Sequence, residues 1–183
     1  NHIPYSPIIK TTYVDKQNNL WIKSQRSFIK MFFPPSPYTY RELDNYFDTK
    51  SFLFDSDEHL WIATKKGIIR IMDSQKNLLG YLSPDGELAQ TETVFAEGGI
   101  YVMLKDQAQT IWLGSKENGL FRLVPRNRPY HYEVYHYMNN PSDPYSISDN
   151  KISCIDEDHN GSIWIGTYGG GLNLVEEKED GAI

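Results

Sequence analysis

The 183-residue chain lacks the features that mark several large classes of protein. It has one cysteine, so no internal disulfide can form and cysteine usage does not identify the compartment. No apolar run is long enough to span a bilayer, and no stretch has a sustained helical periodicity of apolar residues. The net charge of −6 provides no basic footprint for nucleic acid. These absences favour a β-rich segment that binds neither nucleic acid nor a membrane.

Two further expectations come from the single cysteine and from the start of the sequence. Cys154 lies in an apolar–polar run that ends at Ile155, which favours a buried structural thiol. The sequence does not begin with methionine and shows no signal-peptide pattern. We therefore expect either a mature product or a piece of a longer protein.

Aromatic residues are plentiful, and the four tryptophans reveal an internal repeat. Each tryptophan follows an aspartate by six residues and lies between two branched aliphatic residues. A hydroxyl-bearing residue comes three positions later, followed by a small residue and a second apolar run. The four pairs are Asp15 and Trp21, Asp55 and Trp61, Asp106 and Trp112, and Asp158 and Trp164. Such periodicity indicates one supersecondary unit that is stacked against copies of itself.

Each unit is predicted to consist of short antiparallel strands. The β-branched and aromatic runs around each tryptophan are separated by turn residues, which is typical of strand–turn–strand units. The aspartate can bond backbone amides of the first turn, and the Asn-Gly pair at 160–161 is the clearest turn signal. Glycines such as Gly67, Gly119 and Gly171 close the second hairpin.

The spacing of the tryptophans, at 40, 51 and 52 residues, leaves room for four short strands in each repeat. One four-stranded sheet of this size cannot bury its own faces, so neighbouring sheets must stack. We therefore predict an all-β fold, a partial β-propeller built from about four four-stranded antiparallel blades. The alternative is a β-sandwich whose tryptophans coincide by chance.

The predicted organisation is a single propeller fragment over residues 1–183, with repeats at about 8–45, 46–98, 99–150 and 151–183. Between the repeats, residues 73–98 contain a Pro-Asp-Gly sequence at 84–86 that predicts a turn, and they also contain a predicted loop. The tyrosine-rich run from Tyr130 to Tyr137 alternates with polar residues and predicts an outer strand.

The fourth repeat resembles the two-component regulator propeller repeat. The resemblance is carried by the Asn-Pro-Ser-Asp-Pro-Tyr-Ser-Ile-Ser-Asp-Asn stretch at 140–150, the Trp-Ile-Gly-Thr element at 164–167 and the Gly-Gly-Leu element at 170–172. The third repeat is a good match and the second a fair one. The first departs most, because Lys23 and Ser27 stand where glycines are expected.

The resemblance implies the periplasmic sensor region of a hybrid two-component system, an inner-membrane protein in which a histidine kinase lies outside these residues. Relatives of this kind commonly detect oligosaccharides released from complex glycans. The family usually builds seven-bladed rings, so four repeats imply a fragment or a chain that completes itself by association with other blades. No kinase motif or helix-turn-helix pattern is visible, and this segment is expected not to be an enzyme.

The repetition of these residues favours structural roles for them. Trp21, Trp61, Trp112 and Trp164 are expected in the core, although tryptophans can also stack on sugars. A carboxylate pair for glycoside hydrolysis would break the symmetry of the repeat, whereas turn-forming aspartates recur with it. We predict no catalytic residue, no cofactor and no metal, since the five histidines show no metal-ligand spacing.

Binding residues concentrate on loops that a rigid scaffold positions. If the strand before each aspartate is innermost, the second hairpins and the inter-blade loops share one surface. The candidate ligand-facing residues on it are Lys65, Lys66, Lys116, Asn118, Tyr145 and Tyr168. The predicted function is oligosaccharide sensing through a rearrangement between blades or subunits. The first alternative is a structural or protein-interaction propeller without a small-molecule ligand. The second is a propeller lyase or hydrolase.

Overall fold

The computed structural model describes residues 9–16, 19–24, 28–31, 39–41 and 48–175. Ser27 and the end of the fourth repeat at 176–183 lie outside these residues. The chain divides into two compact units, residues 1–47 and residues 48–183. The first unit contains one four-stranded antiparallel sheet, the first blade, formed by β1 (Ile9–Val14), β2 (Leu20–Ser24), β3 (Phe28–Met31) and β4 (Thr39–Arg41).

The second unit contains three antiparallel sheets, each in sequential strand order. The second blade has β5 (Thr49–Phe54), β6 (Leu60–Thr64), β7 (Ile69–Met72), β8 (Leu78–Leu82) and β9 (Leu88–Ala89). The third blade has β10 (Ile100–Lys105), β11 (Ile111–Ser115), β12 (Leu120–Pro125) and β13 (Tyr132–Tyr137). The fourth blade has β14 (Ile152–Glu157), β15 (Ile163–Thr167) and β16 (Gly171–Leu174). The prediction of an all-β fold made of propeller blades is confirmed.

Each tryptophan lies on the second strand of its blade, and that strand pairs with a strand on either side. Because side chains on a strand alternate between faces, the tryptophan and its aliphatic neighbours point in opposite directions. Trp112 belongs to a core shared with the fourth blade, whereas Ile111 and Leu113 belong to a core shared with the second. The central strand of the third blade is therefore apolar on both faces because this blade packs between the second and the fourth.

The second blade differs from the predicted four strands. The turn predicted at its Pro-Asp-Gly sequence, 84–86, is present and joins β8 and β9 into an extra hairpin. Gly86 has a φ of +83°, and a Cβ there would lie 2.3 Å from the Tyr132 carbonyl oxygen. The Tyr132 amide donates to the Gly86 carbonyl oxygen at 2.9 Å. Glycine thus lets the extra hairpin lie directly against the outer strand of the third blade.

Two side chains of the fourth blade are less buried than the sequence suggests. The expectation of a buried Cys154 is wrong, since this thiol is exposed. Trp164 is only half-buried, whereas Trp61 and Trp112 are 0% and 2% exposed. Both residues point to the face of the fourth blade that no sheet among residues 48–175 covers. An apolar–polar alternation indicates which residues share a face but not whether that face has a neighbour.

Candidate functional site

The same hydrogen-bonded unit links aspartate and tryptophan in all four blades. The indole Nε1 donates to the aspartate Oδ2 at 2.8 Å in the first blade, 3.0 Å in the second, 2.8 Å in the third and 3.1 Å in the fourth. The aspartate Oδ1 accepts the backbone amide four residues later at 2.8–3.0 Å, which closes the first turn. One carboxylate therefore holds both the turn and the indole.

These bonds stabilise the ionised form of the aspartate. The indole of Trp164 and the amide of Ser162 hold the pKa of Asp158 below its ordinary value. At Asp15, burial acts to raise the pKa, but hydrogen bonds from Trp21 and Asn19 outweigh it and lower the pKa. Asp15 and Asp158 are thus charged acceptors engaged by their own blade, which is the role expected of a structural turn.

The six predicted ligand-facing residues lie on hairpins and loops at one edge of the sheets. Backbone bonds tie each second hairpin to the loop that enters an inner strand: the amide of Lys65 bonds Asp48, that of Lys116 bonds Gly99 and that of Tyr168 bonds Lys151. Lys65, Lys66, Tyr145 and Tyr168 are exposed, and Lys116 and Asn118 are half-buried. The Lys151 ammonium lies 3.7 Å from the centre of the Tyr168 ring.

A cleft lies at the opposite edge, on the side of the aspartate turns, between the second and third blades. It has a volume of about 340 Å³. Its walls are the first turn of the second blade at 55–57, the corresponding turn of the third blade around Lys105 and Gln109, and the β12–β13 connection at 125–132. None of the six predicted ligand-facing residues lines this cleft.

Aromatic residues form one wall of the cleft. The Tyr130 ring lies 6.3 Å from that of Trp61, and the Tyr132 ring meets Trp61 edge-on at 5.7 Å. The Tyr130 hydroxyl and His59 Nδ1 are hydrogen-bonded across the two blades. Burial, and then the nearby Asp55 carboxylate, raise the pKa of Tyr130 well above its ordinary value. Both phenols stay neutral, so the wall combines flat apolar rings with hydroxyl groups.

Charged groups of both signs surround the cleft. Asp57 is exposed and contributes a carboxylate to the lining. Arg128 lies 2.7 Å from Glu87, and Arg126 lies 2.5 Å from Glu133. Because both arginines already have carboxylate partners, the rim does not favour a strongly anionic ligand. The donors and acceptors suit a ligand rich in hydroxyl groups.

Asp55, Asp57 and His59 place one potential metal-ligand atom each within 4.8 Å of one another. These groups already have roles in the turn. Both oxygens of Asp55 accept hydrogen bonds, from the amides of Asp57 and His59 and from the Trp61 indole. A cation bound by Asp55 would compete with the bonds that position Trp61, and the cluster is better explained as part of the turn.

Sequence reasoning missed the cleft because its walls are distant in the chain. Tyr130 was assigned to an outer strand, but it precedes β13 and has a positive φ of 54°. Its partner His59 is 71 residues away. The one available signal is the charged connection at 126–131, which contains two arginines and a proline where a short turn would suffice to join two antiparallel strands.

Comparisons with known proteins agree with the repeat and the fold. Residues 146–169 match the two component regulator propeller family. Histidine kinase P4 of Formosa agariphila is 25% identical over 139 residues, which cover 70% of this chain and 9% of that protein. The chain therefore spans less than a tenth of this curated relative.

Solved structures share the fold at low sequence identity. The extracellular domain of BT4673 from B. thetaiotaomicron, a proposed hybrid two component system, superposes with a TM-score of 0.65 at 17% identity, covering 91% of this chain and 21% of that one. The extracellular domain of BT3049, a proposed system of the same kind and organism, gives 0.60 at 18% identity, covering 91% and 27%. Virginiamycin B lyase from Staphylococcus aureus gives 0.56 at 8% identity, covering 92% and 55%. The chain thus has a β-propeller fold, and its fourth repeat is confirmed as a two-component regulator propeller repeat.

Proposed function

We propose that this chain is the ligand-sensing propeller segment of a hybrid two-component sensor and that it binds an oligosaccharide outside the cytoplasm, in the periplasm. The family match at 146–169 and the fold shared with two extracellular sensor domains support this assignment. In the described residues, no helix has the length and hydropathy needed to cross a bilayer. On this proposal, the histidine kinase lies elsewhere in the protein and the segment itself is not an enzyme.

The observation that carries the ligand class is the cleft between the second and third blades. Its aromatic wall provides flat surfaces for the apolar faces of a sugar ring. Asp57 accepts hydrogen bonds from sugar hydroxyls, while Lys105 and Gln109 donate them. Since Tyr130 and His59 bond across the two blades, a sugar that contacts Tyr130 acts on an inter-blade contact. The difference in the sugar's affinity for two arrangements of the blades would set the size of the signal.

Binding of neutral and uronic-acid-containing oligosaccharides to the full chain, measured by titration calorimetry, tests this proposal. Tyr130→Ala should weaken binding by about tenfold or more because it removes the stacking surface. Asp57→Asn should weaken it with little effect on melting temperature, since Asp57 is exposed. The matched control is Tyr145→Ala, an exposed tyrosine at the opposite edge.

The alternative outcomes separate the competing proposals. If Tyr145→Ala or Tyr168→Ala abolishes binding and Tyr130→Ala does not, the ligand site lies on the hairpin surface that contains Lys65, Lys66, Lys116 and Asn118. If no oligosaccharide binds, the chain is better described as a structural or protein-interaction propeller.

A further inference from the structure

A carboxylate joins the third blade to the fourth at the edge of the aspartate turns. Glu157 is the last residue of β14, and its Oε2 accepts the backbone amide of Gln107 at 2.9 Å. Gln107 directly follows Asp106, so it lies in the first turn of the third blade. A side chain at the end of one inner strand thus satisfies a turn amide of the neighbouring blade.

The same two positions exist between the second and third blades, at the cleft. Lys105 ends β10 as Glu157 ends β14, and each pairs with the first residue of the tryptophan strand. Ser56 follows its aspartate as Gln107 does. Both Ser56 and Lys105 line the cleft. The pair that binds at one interface therefore faces a cavity at the other.

The first turns of the second and third blades have the same conformation. The amide of Glu58 donates to the Asp55 carbonyl oxygen at 3.2 Å, and that of Gln109 to the Asp106 carbonyl oxygen at 3.0 Å. Glu58 and Gln109 both have positive φ angles, 62° and 69°. Because the two backbones match, the Ser56 amide is directed toward the third blade as the Gln107 amide is directed toward the fourth.

The exchange of glutamate for lysine changes what this position can bind. A lysine ammonium has three donors and no acceptor, so Lys105 cannot accept the Ser56 amide. In the part of the chain that the structure describes, that amide has no hydrogen-bond acceptor. The Lys105 ammonium donates to Gln109 Oε1 at 3.1 Å, which uses one of its three donors. An amide and a cation on facing walls of one cleft suit a carboxylate.

We propose that a uronic acid carboxylate of the ligand takes, between the second and third blades, the place that Glu157 takes between the third and fourth. It accepts the Ser56 amide and a charge-assisted hydrogen bond from Lys105, which makes Lys105 the residue that selects an acidic sugar. This inference rests on the proposed oligosaccharide site and names the chemical group that the site selects.

The other charges of the cleft limit this preference to one carboxylate. Asp57 is an exposed carboxylate in the same lining, and it repels a second anionic group. Arg126 and Arg128 already have carboxylate partners. A hexuronate carries its carboxylate directly on the sugar ring, so the ring itself stays in the cleft with the aromatic wall.

The test compares disaccharides that carry one terminal hexuronate with their carboxyl-reduced forms, in which CH2OH replaces the carboxylate. In titration calorimetry, the full chain should bind the hexuronate form about tenfold more tightly, because reduction removes a hydrogen bond to a charged group. Lys105→Met should bring this ratio below about threefold. The matched control is Lys66→Met, an exposed lysine at the opposite edge, which should leave the ratio unchanged.

An amide NMR spectrum of the same samples reports on the second contact. The Ser56 amide proton should move downfield with the hexuronate form and not with the reduced form. A uronate preference accompanied by no change at Ser56 would overturn the proposed position of the carboxylate.

The outcomes separate this inference from the proposed function. Equal affinity for the two forms, or a tenfold preference that survives Lys105→Met, overturns the inference. The oligosaccharide site still stands in that case if Tyr130→Ala weakens the binding of both forms. If neither form binds and neutral oligosaccharides do not bind either, both proposals fail. A preference that Lys66→Met abolishes would assign the carboxylate to the hairpin surface and also overturn the inference.

Discussion

Replacing Asp106 by alanine is the sharpest test of the aspartate–tryptophan unit. Asp106 is buried, and so are its two partners, Trp112 and Thr110. Its carboxylate accepts the indole N–H of Trp112 at 2.8 Å and the amide of Thr110 at 2.8 Å. Asp106→Ala leaves both donors in the interior without their acceptor.

The expected loss of stability can be estimated from those two groups. A buried donor left without a partner costs about 1–3 kcal/mol. With two such donors, Asp106→Ala should lower the free energy of unfolding by about 2–6 kcal/mol. A double-mutant cycle with Trp112→Phe isolates the indole bond, whose coupling should be about 1.5–3 kcal/mol, the range for a hydrogen bond to a charged group.

The measurement is urea denaturation followed by tryptophan fluorescence and by circular dichroism, so that departures from two-state unfolding are visible. Asp158→Ala is the matched control, since Asp158 makes the same two bonds at 3.1 and 3.0 Å in a more exposed setting. Water can replace the lost acceptor there, so the cost should be clearly smaller. Equal costs at the two positions, or a larger cost at Asp158, would refute the argument that burial makes the unit stabilising.

Two further predictions concern acid stability and one close backbone approach. Because the folded-state pKa of Asp158 is lowered, its contribution is present above the unfolded pKa of about 3.9 and is lost as the pH falls through the folded value. The stability difference between wild type and Asp158→Asn, measured by urea denaturation, should therefore shrink below about pH 4; a difference that stays constant down to pH 3 would contradict this. Gly86 and Gly161 have nearly equal φ values of +83° and +85°, but a Cβ would lie 2.3 Å from the Tyr132 oxygen at Gly86 and 3.7 Å from its nearest atom at Gly161. Gly161→Ala should cost about 1 kcal/mol from backbone strain and Gly86→Ala at least about 1 kcal/mol more, and equal costs in thermal denaturation would show that the extra hairpin does not need glycine.

The repeat was readable in the sequence because its signals are local. Asp158 and Trp164 are only six residues apart, and the turn between them is fixed by the carboxylate and by Gly161. The alternation of Trp112 with Ile111 and Leu113 likewise follows from the two-residue period of a strand. Short-range geometry of this kind recurs wherever the same residues recur, so four copies of the pattern were enough to predict blades.

The tertiary structure decided the features that depend on residues distant in the chain. The cleft exists because Tyr130 meets His59 across two blades, and neither residue belongs to the repeated pattern. The exposure of Cys154 and Leu172 depends on whether a neighbouring sheet covers their face, which no local pattern records. The sequence by itself determined how each blade is built, since a strand's faces and turns are set by nearby residues. Only the packing of whole sheets decided which surfaces are buried and where a ligand can enter.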